Sequence, residues 1–213
     1  MTNMEPPSRS QTPRGWHSRG YLPHLDGGNI AQTATFRLHD SLPETVLRLL
    51  TKELETMPEA RASVERRKRI EGYLGAGIGH CWLARPDIAK VVENALLQFH
   101  NERYWLEVWV IMPNHVPALF TPMAGHDVCG IVHSWKSYTS TVANRLLGRS
   151  GAFWFPDYYD RFIRTERHLV CAVEYIEVNP VVAGRCKRPE DWRHGSARFR
   201  RSTLLRAACQ RNM

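Results

Sequence analysis

Cysteine is scarce and scattered in this chain of 213 residues: Cys81, Cys129, Cys171, Cys186 and Cys209 are odd in number and form no CxxC pair. That spacing excludes a disulfide framework or a zinc knuckle and points to a reducing compartment. Long apolar runs are missing too. Nothing approaches the roughly 18 consecutive apolar residues of a membrane span, and the first 20 residues are polar and Pro-rich, unlike the apolar core of a signal peptide. The expectation is a cytoplasmic protein with no membrane partner. The third deficit is acid: 21 Asp and Glu stand against 29 Lys and Arg, for a net charge of +8. A polyanionic partner is the class this balance favours. With 43% hydrophobic residues and 7 Trp, wholesale disorder is excluded.

Local patterns divide the chain in three. Residues 1–20 hold three Pro and three Arg without periodicity and read as a basic, disordered arm. Residues 21–184 read as the folded domain, and 185–213 as a basic tail with nine Lys and Arg against Glu190 and Asp191. Within the domain, residues 30–38 favour a strand through Thr33, Thr35 and Phe36. Ser41-Leu42-Pro43-Glu44 has the form of a capping box, and Val46, Leu47, Leu50 and Leu54 follow at helical spacing. Residues 59–74, rich in Arg and Glu, predict an exposed helix. Pro86 opens a core helix carrying Ile88, Val92, Ala95, Leu96 and Phe99. Two strands joined by a short turn are expected over 104–112 and 116–120, a helix over 127–147, a strand over 158–163, and a helix from Glu166 stopped by Asn179-Pro180. Strands alternating with helices indicate an α+β or α/β sandwich.

Two places carry candidate chemistry. His115 stands at the start of a buried strand, and position 117 shares its face because strand side chains alternate. Paired histidines at that spacing would chelate a divalent ion, but residue 117 is Pro, so one imidazole is offered. Further on, Tyr175 and Asn179 lie four apart, on one face of the last helix. A tyrosine oxygen can attack a phosphodiester where a metal or basic group stabilises the developing charge, and Asn179 could ligate a metal beside it. Each has a bland reading: a core histidine, a half-buried helix tyrosine, a helix stop. Tyr138 is a rival tyrosine that could equally pack or stack on a base. Basic and aromatic side chains also interleave through Trp135, Lys136, Trp154, Tyr159 and Arg161, a pattern suited to gripping phosphates and stacking unpaired bases.

MPNHV at 112–116, SWKSY at 134–138, NRLLGRSG at 144–151, DRFIR at 160–164, YIEVNP at 175–180 and VAG at 182–184 occur in an order and spacing that resembles the REP-associated tyrosine transposases. RGWHSRGYLPH at 14–24, TFRL at 35–38 and WRHGSA at 192–197 fit the same family, so the likeness runs from about Arg14 to about Phe199. It implies an α+β fold of the single-tyrosine HUH nuclease type, ferredoxin-like or RRM-like, with an antiparallel sheet flanked by helices. The implied substrate is single-stranded DNA folded into hairpins from repetitive extragenic palindromes. Tyr175 matches the nucleophile that forms a 5'-phosphotyrosine and frees a 3'-hydroxyl. His115 matches the first histidine of the metal pair and Asn179 the polar third ligand, with Mg2+ or Mn2+ as the implied ion. Lys136, Tyr138, Trp154, Arg161, Arg164 and Arg198 are the expected DNA contacts. Monomer and dimer both remain open.

The chain departs from the family where the second histidine falls on Pro117. Proline offers no ligand atom and no N–H to a sheet ladder. Two readings follow: a DNA-nicking and rejoining enzyme, or a hairpin-binding protein that has lost turnover. An RNA-binding module is a third, because basic aromatic surfaces serve either polymer.

Overall fold

The computed structural model describes residues 15–18 and 23–199. The chain runs β1 (Gly15–Ser18), β2 (Pro23–Asp26), β3 (Gln32–Arg37), α1 (Glu44–Leu54), α2 (Glu59–Gly75), α3 (Pro86–Gln98), β4 (Tyr104–Trp109), β5 (His115–Pro122), α4 (Val128–Leu146), β6 (Tyr159–Phe162) and α5 (Glu166–Val182). β4, β5, β3 and β6 form one antiparallel sheet in that order, and β1 and β2 form a separate hairpin. The fold is α+β, and the strand and helix expectations hold with small shifts of boundary. No helix among the described residues is long and apolar enough to cross a membrane.

Strand alternation separates two cores. Ala34, Phe36, Val116, Ala118 and Phe120 point to one face, where Ile88, Val92 and Leu96 of α3 and Ile131, Val132 and Trp135 of α4 cover them. On the opposite face Val108 and Leu119 meet Ile176 of α5. A smaller cluster ties α1 to α2 through Leu50, Ile70 and Leu74. α2 therefore buries one stripe, and only its other faces match the exposed helix expected.

Three local expectations are corrected. The Ser41–Glu44 capping box does not form: the N-cap of α1 is Pro43, and the Ser41 hydroxyl instead donates to the Leu38 carbonyl at 2.7 Å and accepts from Arg37. The buried turn after β3 claims the hydroxyl before the helix can. α5 does not stop at Asn179; it continues through Pro180 to Val182. A proline in the last turn forfeits one N–H, and the end is then closed by Gly184 in the left-handed region, with Gly184 and Arg185 donating to the carbonyls of Val181 and Pro180. The domain limits also widen. Residues 15–18 of the expected arm pair as β1, and residues 192–199 of the expected tail pack along the end of β4. There the Ser196 N–H donates to the Trp109 carbonyl at 2.9 Å, the Trp109 N–H donates to the Ser196 hydroxyl at 3.1 Å, and Ile111 donates to the His194 carbonyl at 2.8 Å. Residues 1–14 and 200–213, the remainder of the expected arm and tail, lie outside the described residues.

Pro117 explains where β4 ends. Its carbonyl accepts from Val110 at 3.1 Å, so its nitrogen faces β4 as well and has no proton to return. The β4 ladder ends at Trp109, opposite Ala118, and Val110 bridges instead to Gly195 of the C-terminal segment.

The connection from α2 to α3 is held against the end of β3 by Asp40, which accepts from the His80 backbone N–H at 2.8 Å. Gly79 sits there at φ +91°, and a Cβ on it would lie 2.7 Å from the Asp40 carbonyl oxygen. Gly79→Ala is expected to destabilise the chain by about 1–3 kcal/mol, read as a lower urea midpoint; an unchanged midpoint would show that this loop carries no strain.

Candidate functional site

The face of the sheet that carries α5 also carries the candidate site. A cleft of about 310 Å³ lies between β3, β5 and β6 below and α2 and α5 above, lined among others by Thr33, Thr35, Pro117, Tyr159, Arg161 and Tyr175. Register accounts for its floor: Thr35 stands opposite Pro117 on one side and Tyr159 on the other, and Thr33 opposite Arg161. α5 supplies the roof, with His168, Cys171 and Tyr175 placed at helical spacing along it. Tyr175 is 45% exposed, so its ring is both held by the cleft and open to a large substrate.

Tyr175 and Pro117 are thus brought together, as is Arg161. His115 and Asn179 are not among the residues lining the cleft. His115 is sealed, 4% exposed, one pleat along β5 from Pro117. Its surroundings fix its chemistry. The Asn114 amide donates its N–H to the Ile78 carbonyl at 3.0 Å, which turns its oxygen toward His115 Nδ1 at 2.8 Å. The ring therefore donates from Nδ1 and keeps the lone pair on Nε2. Burial pushes its pKa down to about 3, so it is neutral at physiological pH. One neutral imidazole is a competent ligand, but Pro117 contributes none, and no three His, Cys, Asp or Glu side chains cluster to hold an ion among the described residues. The described donor set does not by itself fit a Mg2+ or Mn2+ centre.

The expected DNA contacts divide sharply. Arg161 lines the cleft, Arg164 is exposed with its guanidinium 4.6 Å from the Phe162 ring, and Tyr138 is exposed on α4. Lys136 and Tyr138 lie on α4, across the sheet from the cleft. Lys136 donates to the carbonyls of Phe155 and Pro156 at 2.7 and 2.6 Å, so its ammonium ties down a loop; burial lowers its pKa to about 8. Trp154 is core: it is 6% exposed, donates from Nε1 to Thr139 and meets the Phe36 ring edge-on at 4.8 Å. Arg198 bonds the buried carboxylate of Glu93 at 2.7 Å and pins the C-terminal segment to α3. These three side chains are spent on the fold, because each is bonded to a partner 15 or more residues away in sequence.

Sequence reasoning missed two groups. His24 of β2 lies buried between Asp157 and Asp160, with ring nitrogens 2.9 and 2.7 Å from their carboxylates. Burial alone would lower its pKa, but the two carboxylates outweigh burial and raise it to about 9. Arg37 is the other, and its sole signal is a charged residue in a strand that otherwise alternates small and apolar.

No family model matches the chain. A curated relative, the REP-associated tyrosine transposase of Escherichia coli (strain K12), is 23% identical over 104 residues, covering 48% of this chain. The aligned stretch spans 61% of that protein, short of two thirds of its length. Among solved structures, a REP-associated tyrosine transposase bound to a REP hairpin superposes with a TM-score of 0.52 at 18% identity, over 88% of this chain and 84% of that one. In sequence and in fold, this chain is similar to the REP-associated tyrosine transposases.

Proposed function

We propose that this chain binds single-stranded DNA folded into hairpins and presents one strand to Tyr175 in the cleft beneath α5. The observation that carries the reading is the position of Tyr175: an exposed phenol at the mouth of a cleft whose floor is the sheet face bearing Pro117 and Arg161. In the reaction proposed, the phenol oxygen bonds to the scissile phosphorus while the P–O3' bond breaks. The phenol proton passes to solvent, the 3'-oxygen leaves as an alkoxide that takes up a proton to become the free 3'-hydroxyl, and the product is a 5'-phosphotyrosine. His115 and Asn179 do not line the cleft and Pro117 adds no donor, so no step is routed through Mg2+ or Mn2+; among the described residues, Arg161 is the cation on the cleft floor.

Pro117 favours a second reading, a hairpin-binding protein without turnover, since the residue on the cleft floor has no donor atom. One experiment separates the two. The parent chain retains labelled hairpin DNA in a gel shift, with affinity falling as salt rises; absence of retention overturns both readings. With Mn2+ present, a covalent band from the parent supports the enzyme, while a band from Pro117→His alone supports the binder.

A further inference from the structure

Arg37 is a buried cation with no acid to balance it. Its side chain is 3% exposed, yet no carboxylate among the described residues reaches it. Nη1 makes only long bonds, 3.4 Å to the Leu38 carbonyl and 3.2 Å to the Ser41 hydroxyl, and Nε is buried with no partner among the described residues. The guanidinium is held flat over the Phe155 ring, with Cζ 3.7 Å from its centre. The carboxylates of the neighbouring β6 region, Asp157 and Asp160, are turned to His24 and not to Arg37, and the second oxygen of Asp157 is buried with no hydrogen bond among the described residues. Lys136 is a second cation close enough for its own ionisation to feel Arg37. A guanidinium kept charged and dry, with Nε unpaired and no acid beside it, is costly to the free protein, and the cost is offset when an anion arrives.

Position says which anion. Thr33, Thr35 and Arg37 alternate onto one face of β3, and the two threonines line the cleft. Arg37 stands directly across the sheet from His115, and Tyr159, which also lines the cleft, lies close enough for its ionisation to be coupled to that of Arg37. Arg37 itself is sealed and is not among the residues lining the cleft; by register it stands one pair beyond Thr35 and Pro117, at the end of the floor where Pro117 withholds a ligand. A guanidinium fork matches two oxygens of a phosphate and needs no metal to do so.

We propose that Arg37 is an anion-binding residue whose guanidinium takes a phosphate oxygen of the DNA strand lying in the cleft. This rests on the hairpin-binding reading, but its shared chemistry, a phosphate on a buried arginine, can be probed without DNA. At about 10 after burial has lowered it, its pKa leaves the group charged at neutral pH.

The test compares the full chain with Arg37→Met, which keeps length and contact with Phe155 and removes the charge. In chloride buffer, Arg37→Met is expected to melt roughly 2–4 °C above the parent, because an unbalanced buried charge is gone. Inorganic phosphate, set against chloride of equal ionic strength, is expected to raise the melting temperature of the parent and not of Arg37→Met. Hairpin DNA is expected to bind Arg37→Met about tenfold more weakly, with the log–log salt slope lower by about one. If the parent retains no hairpin, the hairpin reading fails and the phosphate melts alone decide Arg37. An Arg37→Met chain that melts below the parent, with an unchanged phosphate response, overturns the proposal. Should that variant not fold, Arg37→Lys carries the test: a salt slope kept with affinity a few-fold lower supports the fork, and unchanged affinity overturns it.

Discussion

Tyr175→Phe leaves no covalent protein–DNA band on a denaturing gel, in whichever of the parent and the Pro117→His chain forms one. The phenyl ring fills the same place on α5, between Cys171 and Asn179, so hairpin retention stays within about twofold. What is lost is the oxygen that forms the phosphorus bond, and no neighbouring group replaces it. A reduction of at least about 1,000-fold in adduct is expected, on the scale seen when a nucleophile is removed outright. Two other tyrosines bound the result. Tyr159 lines the same cleft but its hydroxyl is pushed to a higher pKa by burial, and Tyr138 is exposed on α4 across the sheet. An adduct that survives in Tyr175→Phe, or that maps to either of these by peptide mass, would end the assignment.

His24→Ala is the largest expected loss of stability, about 3–5 kcal/mol by urea denaturation at pH 6. The substitution takes the positive charge from between two buried carboxylates, Asp157 and Asp160, and removes the ring packed 4.5 Å from Tyr158. It also frees β2 from β6. The pH dependence has a definite sign. His24 titrates near its ordinary value of 6.5 in the unfolded chain and near 9 in the fold, so its contribution is complete below 6.5 and disappears as pH rises through 9. Asp157 runs the other way: burial raises its pKa, but the His24 bond and nearby positive charge leave it below the ordinary value, so its contribution is present near neutrality and fades in acid. The parent is expected to lose more stability than His24→Ala between pH 6.5 and 8, below the range in which Lys136 acts with the opposite sign. A slope of equal size in both proteins would show that the triad is not the source.

Arg37 and Pro117 belong to one physical question, how positive charge reaches a phosphate on this sheet face. Pro117→His adds a donor one pleat from His115, whereas Arg37→Met removes a charge already there. Two additive effects on DNA affinity would mean that ion and guanidinium act separately.

Much of this was legible in the sequence, because the relevant physics is local. Apolar spacing defined α3 and α4, apolar runs broken by Pro113-Asn114 defined β4 and β5, and a run of motifs placed Tyr175 on the last helix and, by the family likeness, Pro117 where a second histidine would stand. Periodicity also implied that residues 115 and 117 share a face. What the sequence could not decide was the use of each polar side chain. Lys136, Trp154 and Arg198 read as DNA contacts, yet their heads are claimed by carbonyls, a threonine and a buried glutamate up to 105 residues away. His24 meets carboxylates 133 and 136 residues along the chain, and Arg37 meets none. Such pairings depend on which strands lie side by side, a property of the whole fold that leaves no mark on local spacing. The sequence by itself determined the elements and the place of Tyr175 on the last helix; the tertiary structure alone decided which charges are balanced inside the protein and which await a ligand.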